Sequence, residues 1–265
     1  MLSAQLFFDL SNFAHPTLFQ EGQQVWNSLN LLKDYMNRYD YPNLDHPQFR
    51  SGVPLTETLV LYKGELKTTE NIELIFGDTC KGGLTVKEDD QILEGASVIM
   101  AGSILVGEQI EIGSSCLIES GAMVKSPTII GDCCEVRQGS YIRGYCLTGN
   151  RCVIGHATEI KHSIMLDDAK AGHFNYLGDS ILGNNTNLGA GTKLANFRFL
   201  PGNVGVQYEG KKVDTGLRKL GLILGDNSQT GCNSVTSPGT VMGKRCLIMP
   251  NTTTRAGYFP NNSRI

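Results

Sequence analysis

The sequence predicts an all-β solenoid: a parallel β-helix built of hexapeptide repeats, with a small α-helical N-terminal region. Three observations carry this. Stepping by six from Met100 gives Met100, Val106, Ile112, Ile118, Val124, Ile130, Val136, Ile142, Thr148, Ile154, Ile160 and Leu166. Eleven of these twelve are apolar, where the 40% apolar composition would give about five. The 31 glycines are unevenly spread, with only Gly22, Gly52, Gly64 and Gly77 ahead of Cys80. The first part instead holds a helical stripe, Val25, Leu29, Leu32 and Met36.

Taken in order, the stripe predicts a helix over 19–38, ended by a loop marked by Asp40, Pro42 and Pro47. Residues 58–61 (TLVL) and 72–76 (IELIF) read as short strands. Residues 1–85 form the N-terminal helical region, which would cap the open end of the solenoid, and 86–265 the solenoid. A six-residue period is neither 3.6 nor 2. It fits a coil of three flat sides with 18 residues per turn, shaped as a triangular prism. The residue after the apolar one is often glycine (Gly107, Gly113, Gly131, Gly149, Gly155), which suits a corner with positive φ or tight approach. Four residues after the apolar one stand Cys116, Ala122, Thr128, Cys134, Ser140, Cys146, Cys152 and Thr158, small inward fillers. The run breaks after Leu166 and resumes two residues out of phase at Leu182, Leu188 and Leu194. It breaks again from Phe197 to Gly221 and returns with Leu224, Met242 and Ile248. The segment from Tyr258 to Ile265 reads as a tail.

Composition narrows the function. A net charge of -3 over 265 residues argues against nucleic acid as a partner. No apolar run reaches the roughly 18 residues of a membrane span, and Asp9 interrupts the N-terminal apolar stretch, so no secretion signal and no membrane partner are expected. The eight cysteines show no CxxC pair, which points to free thiols in a cytoplasmic protein.

Chemistry gathers at the first break. Arg143 and Lys161 are 18 residues apart, one full coil, and so stack about 5 Å apart. Two stacked cations are favourable around an anion, and a phosphate is the natural one. His173 lies twelve residues beyond Lys161, suited by its type to proton transfer. His15, His46, His156 and His162 are read as structural, and no metal site is expected.

The stretch 161–196 (KHSIMLDDAKAGHFNYLGDSILGNNTNLGAGTKLAN) resembles the acetyltransferase domain of the bifunctional N-acetylglucosamine-1-phosphate uridyltransferase/glucosamine-1-phosphate acetyltransferases. The later NFRF and VDTGLRKLG are closer to the archaeal-type sugar-1-phosphate nucleotidylyltransferases carrying the same helix. The resemblance covers roughly residues 92–255. It implies a left-handed helix and a homotrimer with sites in the clefts between prisms. No GxGTRM-like loop is present, so the nucleotidyltransferase half is expected to be missing from this chain.

The resemblance implies acetyl-CoA-dependent N-acetylation of a hexosamine 1-phosphate, glucosamine 1-phosphate to N-acetylglucosamine 1-phosphate, within UDP-N-acetylglucosamine biosynthesis. Carried over by position, His173 is the general base. Arg143 and Lys161 contact the sugar phosphate, and Tyr176 and Asn187 the sugar. Asn196 and Lys219 lie by the acetyl group and cofactor, with Cys232 near the thioester. Lys244, Arg245, Arg255 and Arg264 are candidates for the CoA phosphates. The long insertion after Asn196 would cover or remodel the cofactor groove. The competing reading is a non-catalytic sugar-phosphate-binding or trimerising module serving a separate nucleotidyltransferase. A zinc enzyme of the same fold is disfavoured because His156, His162 and His173 lack that family's close histidine pair, and a lipid-type acyltransferase is disfavoured by the AGHxxYLGD run.

Overall fold

The computed structural model describes residues 1–44, 46, 49 and 52–265, so Pro47 lies outside the described residues. The predicted fold class is observed: a left-handed parallel β-helix of about nine turns. Three sheets form the prism. The first face runs from Ser97–Ile99 through Glu135–Val136, Val153–His156, Lys170–His173, Asn187–Leu188 and Gln229–Thr230 to Leu247–Ile248. The second runs from Ile104–Val106 through Tyr141–Ile142, Glu159–Lys161, Tyr176–Gly178 and Lys193–Leu194 to Thr253–Thr254. The third runs from Ile110–Ile112 to Gly257–Phe259.

The apolar period is the interior, with two adjustments of register. At the start, Ile99 and Leu105 face inward, while Met100 and Val106 are half-buried. The break after Leu166 is no break. Thr148 pairs with Met165, Ile154 with Ala171, Ile160 with Leu177 and Met165 with Leu182. Thr148 thus meets Met165 rather than Leu166, so this coil is one residue shorter than those before it. The corner after Ile160 is one residue shorter than that after Ile142, and the corner after Leu177 is shortened likewise. Two single-residue contractions sum to the two-residue slip seen in sequence. Leu166 stays buried, but it packs against the N-terminal region outside the prism. His173 therefore stands on the continuous prism, on a contracted coil rather than in a break. The expected tail is also part of the solenoid, since Gly257–Phe259 pairs with Thr240–Met242 and the Ile265 amide bonds to Leu247.

The inward fillers hold as predicted: Cys116, Cys134, Cys146 and Cys152 are all buried free thiols. Burial pushes the Cys146 thiol up to about 12. Along one column these small groups hydrogen-bond from coil to coil. The Cys116 amide donates to Ser97 Oγ at 2.9 Å and the Cys152 amide to Cys134 Sγ at 3.2 Å.

Of the glycines after the apolar positions, Gly107 has a positive φ, 93°, whereas Gly113, Gly131, Gly149 and Gly155 have none and serve close approach. A Cβ on Gly131 would stand 2.5 Å from the Gly149 oxygen, and one on Gly155 only 1.8 Å from the Gly172 oxygen. The left-handed residues fall one or two places on, and many are not glycine: Cys133, Arg151, Asp168, Asn185 and Asn227 follow one another at one corner.

The chain up to Ile92 does not sit only at the open end. The strand Leu59–Tyr62 does close that end, pairing antiparallel with Ser97–Ile99 and with Glu65–Thr68. A three-stranded sheet (Ile72–Ile75, Thr85–Glu88, Gln91–Ile92) packs on the first face through Val86, Val98 and Leu117. The helical part instead lies along the third face. There Phe7, Phe8, Trp26, Leu29, Leu32 and Met36 bury the outward row Ile129, Leu147, Ile164, Ile181, Ile223 and Val241. The helix α1 spans Asn27–Arg38, eight residues later than predicted at its start. The chain before it is occupied otherwise: Gly22 is left-handed, the Leu2 amide donates to Gln24 Oε1, and the Val25 amide donates to the Leu2 carbonyl. The Phe197–Gly221 insertion carries a hairpin, Gly205–Tyr208 with Lys211–Asp214, which also leans on the third face through Val204, Val206 and Tyr208. It does not cover the corner that carries His173.

Coil contact distances make a paired prediction. Gly155→Ala should lower the melting temperature by roughly 5–10 °C, the scale of an overpacked core. Gly172→Ala, whose added Cβ meets nothing within 4 Å, should leave it nearly unchanged.

Candidate functional site

Equivalent positions on successive coils form columns, and two columns bound the second face. At its far edge Ile142 pairs with Ile160 and Ile160 with Leu177, so Arg143, Lys161 and Gly178 follow one another upward. The stacking predicted for Arg143 and Lys161 is observed, but each cation has its own carboxylate. Arg143 Nη1 lies 2.7 Å from Glu159 Oε1, and Lys161 Nζ 3.8 Å from Asp179 Oδ2. Asp179 is only 6% exposed. It also accepts from Asn196 Nδ2, and its Oδ1 lies 2.8 Å from His162 Nδ1. Burial would raise this carboxyl. The hydrogen bond from His162, the charges of His162 and Lys161, and the Asn196 amide outweigh it and hold it below its ordinary value.

Tyr176 begins the next strand of this face and reaches the same point. A Cβ on Gly178 would stand 2.4 Å from Asn196 Nδ2 and 2.6 Å from Tyr176 Oη, so glycine here leaves the space in which the two side chains meet. Lys219 joins them from the insertion. It bridges Phe197, the residue after Asn196, and its ammonium stands 5.8 Å from the Phe197 ring centre. Arg143, Lys161, Tyr176, Asn196 and Lys219 thus belong to one patch.

The second column is the corner between the first and second faces. His173 ends its strand here, exposed, and its ring makes no hydrogen bond or ion pair among the described residues. His156 pairs with it one coil below. Reading His156 as structural missed this stacking, because the contracted corner brings the two into register one position earlier than a regular coil would. Phe174 packs edge-on to His156 at 5.2 Å. Cys232, also exposed, lies on this corner two coils above His173, roughly 10 Å at the sheet spacing. Asn187 is exposed on the adjoining first face. Within one chain, His173 and the Arg143–Lys161 column stand at opposite ends of the same short strands, on the order of 10 Å apart. Cavities of about 490 and 500 Å³ lie elsewhere, against the first coils by Tyr39 and Tyr41 and at the corner by Asp9 and Asp226.

A family profile described as the GMPPB C-terminal domain matches residues 125–261, just over half of the chain. The chain belongs to this family. Among curated proteins, the chain is similar to a bifunctional sugar-1-phosphate nucleotidylyltransferase/acetyltransferase of Sulfurisphaera tokodaii. The two are 39% identical over 97 residues, 37% of this chain and 24% of that one. It is also similar to the bifunctional protein GlmU of Methanocaldococcus jannaschii, 42% identical over 95 residues, 36% of this chain and 23% of the relative. The matches therefore span about a quarter of these relatives' length. An Arabidopsis UDP-N-acetylglucosamine acyltransferase structure aligns over 62% of this chain and 67% of its own, at 15% identity and a TM-score of 0.28.

In this GMPPB C-terminal-domain protein the four C-terminal cations do not share one groove. Arg255 lies beyond Thr254 at the second–third corner, in the column of Arg143 and Lys161, with its guanidinium 6.0 Å from the Phe259 ring. Lys244 and Arg245 sit at the opposite corner, bound to Asp226 at 3.4 Å and Asn262 at 2.9 Å. Arg264 bridges Leu247. Two further residues adjoin the patch: His162, read from the sequence as structural, and Asp179, which the sequence reading did not single out. The signal was present in the YLGD run, whose aspartate stands one contracted coil before Asn196. Among the described residues no helix is long and apolar enough to cross a membrane, and no cluster of three or more metal-ligating side chains occurs.

Because the folded carboxyl of Asp179 lies below its unfolded value of 3.8, its ionised form stabilises the fold above that pH. The contribution disappears as the pH falls through the lower, folded value. The melting-temperature gap between wild type and Asp179→Asn should therefore be widest above about pH 5 and narrow below pH 3.8.

Proposed function

We propose that this chain transfers the acetyl group of acetyl-CoA to the amine of a hexosamine 1-phosphate, with glucosamine 1-phosphate the leading candidate. The observation that carries the reading is the convergence of Arg143, Lys161, Tyr176, Asn196 and Lys219 on one edge of the second face, with an exposed His173, unpartnered among the described residues, at the other. The similarity to a relative named as a bifunctional sugar-1-phosphate nucleotidylyltransferase/acetyltransferase supports it.

In this reading the sugar phosphate lies against Arg143 and Lys161, and Tyr176 and Asn187 orient the ring. His173 accepts a proton from the substrate amine, which attacks the thioester carbonyl. The tetrahedral adduct collapses, the C–S bond breaks, and the CoA sulfur leaves and takes up a proton. Asn196, Lys219 and Cys232 border the acyl donor. The gap between His173 and the cation column is bridged when the cleft is formed by two prisms, so the working form is a homotrimer, placed in the cytoplasm. Beyond its first coil the second face carries no cover from the N-terminal region among the described residues, which suits that assembly.

The test is CoA thiol release from acetyl-CoA with glucosamine 1-phosphate or galactosamine 1-phosphate. Wild type should turn over one of them, and His173→Ala should lose about 10²- to 10⁴-fold in kcat, the range of a general base. Sedimentation should give three times the 28.8 kDa chain mass. A folded trimer that binds the sugar phosphate but releases no CoA would favour the non-catalytic module instead.

A further inference from the structure

We infer that Asp179, oriented by His162, is a positioning residue that aims Lys161 and Asn196 at the sugar phosphate. The inference rests on the proposed reaction for its substrate class. Asp179 sits at the corner between the second and third faces in a left-handed conformation, φ 48°. Its backbone is fixed from both sides: its amide donates to the Lys161 carbonyl at 3.0 Å, and its carbonyl accepts from the Gly221 amide at 2.8 Å. The side chain is thereby turned inward beneath the patch. One carboxylate oxygen serves His162. The other serves both Asn196 and Lys161.

These contacts have an order. A buried carboxylate is tolerated only when it is paired and hydrogen-bonded, so Asp179 holds its partners as firmly as they hold it. Lys161 has a flexible four-carbon stem, which without an anchor would sample many directions. Asn196 is 8% exposed, and its amide has two faces. Donation of Nδ2 to Asp179 determines which way the amide oxygen points.

His162 completes the set from outside the substrate patch. It is left-handed, φ 45°, with its ring edge-on to Tyr145 at 6.5 Å between centres. Among the described residues its buried Nε2 has no partner, so the ring has one polar contact there, the bond from Nδ1 to Asp179. A histidine buried with a single polar contact serves that contact. It removes the freedom of the carboxylate to rotate away from Lys161 and Asn196. Asparagine tolerates the left-handed conformation and can place an amide N–H near where Nδ1 stands, whereas leucine can donate nothing.

Asp179→Asn, His162→Asn and His162→Leu should be compared with wild type in steady-state kinetics and in calorimetric binding of glucosamine 1-phosphate. Asp179→Asn should raise the KM and the calorimetric Kd for the sugar phosphate about tenfold or more, as expected for breaking a desolvated charge pair, with KM for acetyl-CoA within about twofold. His162→Leu should shift the same way, and His162→Asn should stay near wild type. A general loss of fold would move both substrates together. Equal sugar-phosphate affinity in wild type, Asp179→Asn and His162→Leu overturns the inference, as does a loss in His162→Asn equal to that in His162→Leu. If Asp179→Asn fails to fold, the two His162 variants decide. If wild type binds the sugar phosphate but releases no CoA, the acetyl-transfer reading fails, and the calorimetric comparison still tests Asp179. If wild type binds no sugar phosphate, both fail.

Discussion

Every coil of this protein has to bring the chain back one strand spacing above its starting point. Only then do its amide and carbonyl groups meet those of the next coil. An unpaired backbone group in the interior would cost as much as the hydrogen bond it lacks. That closure condition explains why full and contracted coils coexist, why the interior is one continuous column of apolar side chains, and why left-handed residues recur at the corners. It also explains the stacked glycines. Where two coils touch backbone to backbone, as at Gly155 and Gly172, no Cβ fits on the lower one.

The same condition turns spacing along the sequence into surfaces. A residue placed one coil from another becomes its neighbour, so Arg143 and Lys161 form an edge although they are far apart along the chain. The three faces are then used differently. The third carries apolar residues outward as well as inward and is consumed by the N-terminal aromatic cluster and α1. The first is partly covered by the three-stranded sheet. The second presents Tyr141, Glu159, Tyr176 and Lys193 and has no such cover among the described residues. The chemistry-bearing residues border the face that remains open.

Much of this was legible in the sequence. The six-residue period identified the solenoid, and the four small cysteines were placed inside correctly. What was misread followed from counting in fixed steps. A strict step of six cannot show that a corner has lost one residue, so His173 looked displaced from the prism, and its stacking on His156 went unseen. The side cover was also missed, although its signal is plain in retrospect. Third-face strands such as 128–130 (TII) and 222–224 (LIL) are apolar on both sides, a pattern proper to strands buried on both faces. The start of α1 could not be read, because Val25 fits the helical stripe while its amide is spent on Leu2. Asp179 was overlooked because its role depends on a corner geometry that only the folded register defines.

The two cations of the patch are not equivalent, and the difference follows from burial. Arg143 and Glu159 are both more than a third exposed, so their pair is screened and contributes at most about 1 kcal/mol. An incoming dianion can draw Arg143 from Glu159 with little loss. Lys161 leans on a carboxylate that is almost fully buried and bonded on both oxygens. It is held in place before any ligand arrives, so less side-chain freedom is lost when it binds one. The edge therefore combines one cation that adapts to the anion with one that is already positioned for it. The buried partner is supplied by the same kind of contracted corner that hid the register of His173. The single-residue contractions at 160–165 and 177–182 set Asp179 on the coil between those of Lys161 and Asn196, linking the closure of the coil to the architecture of the site.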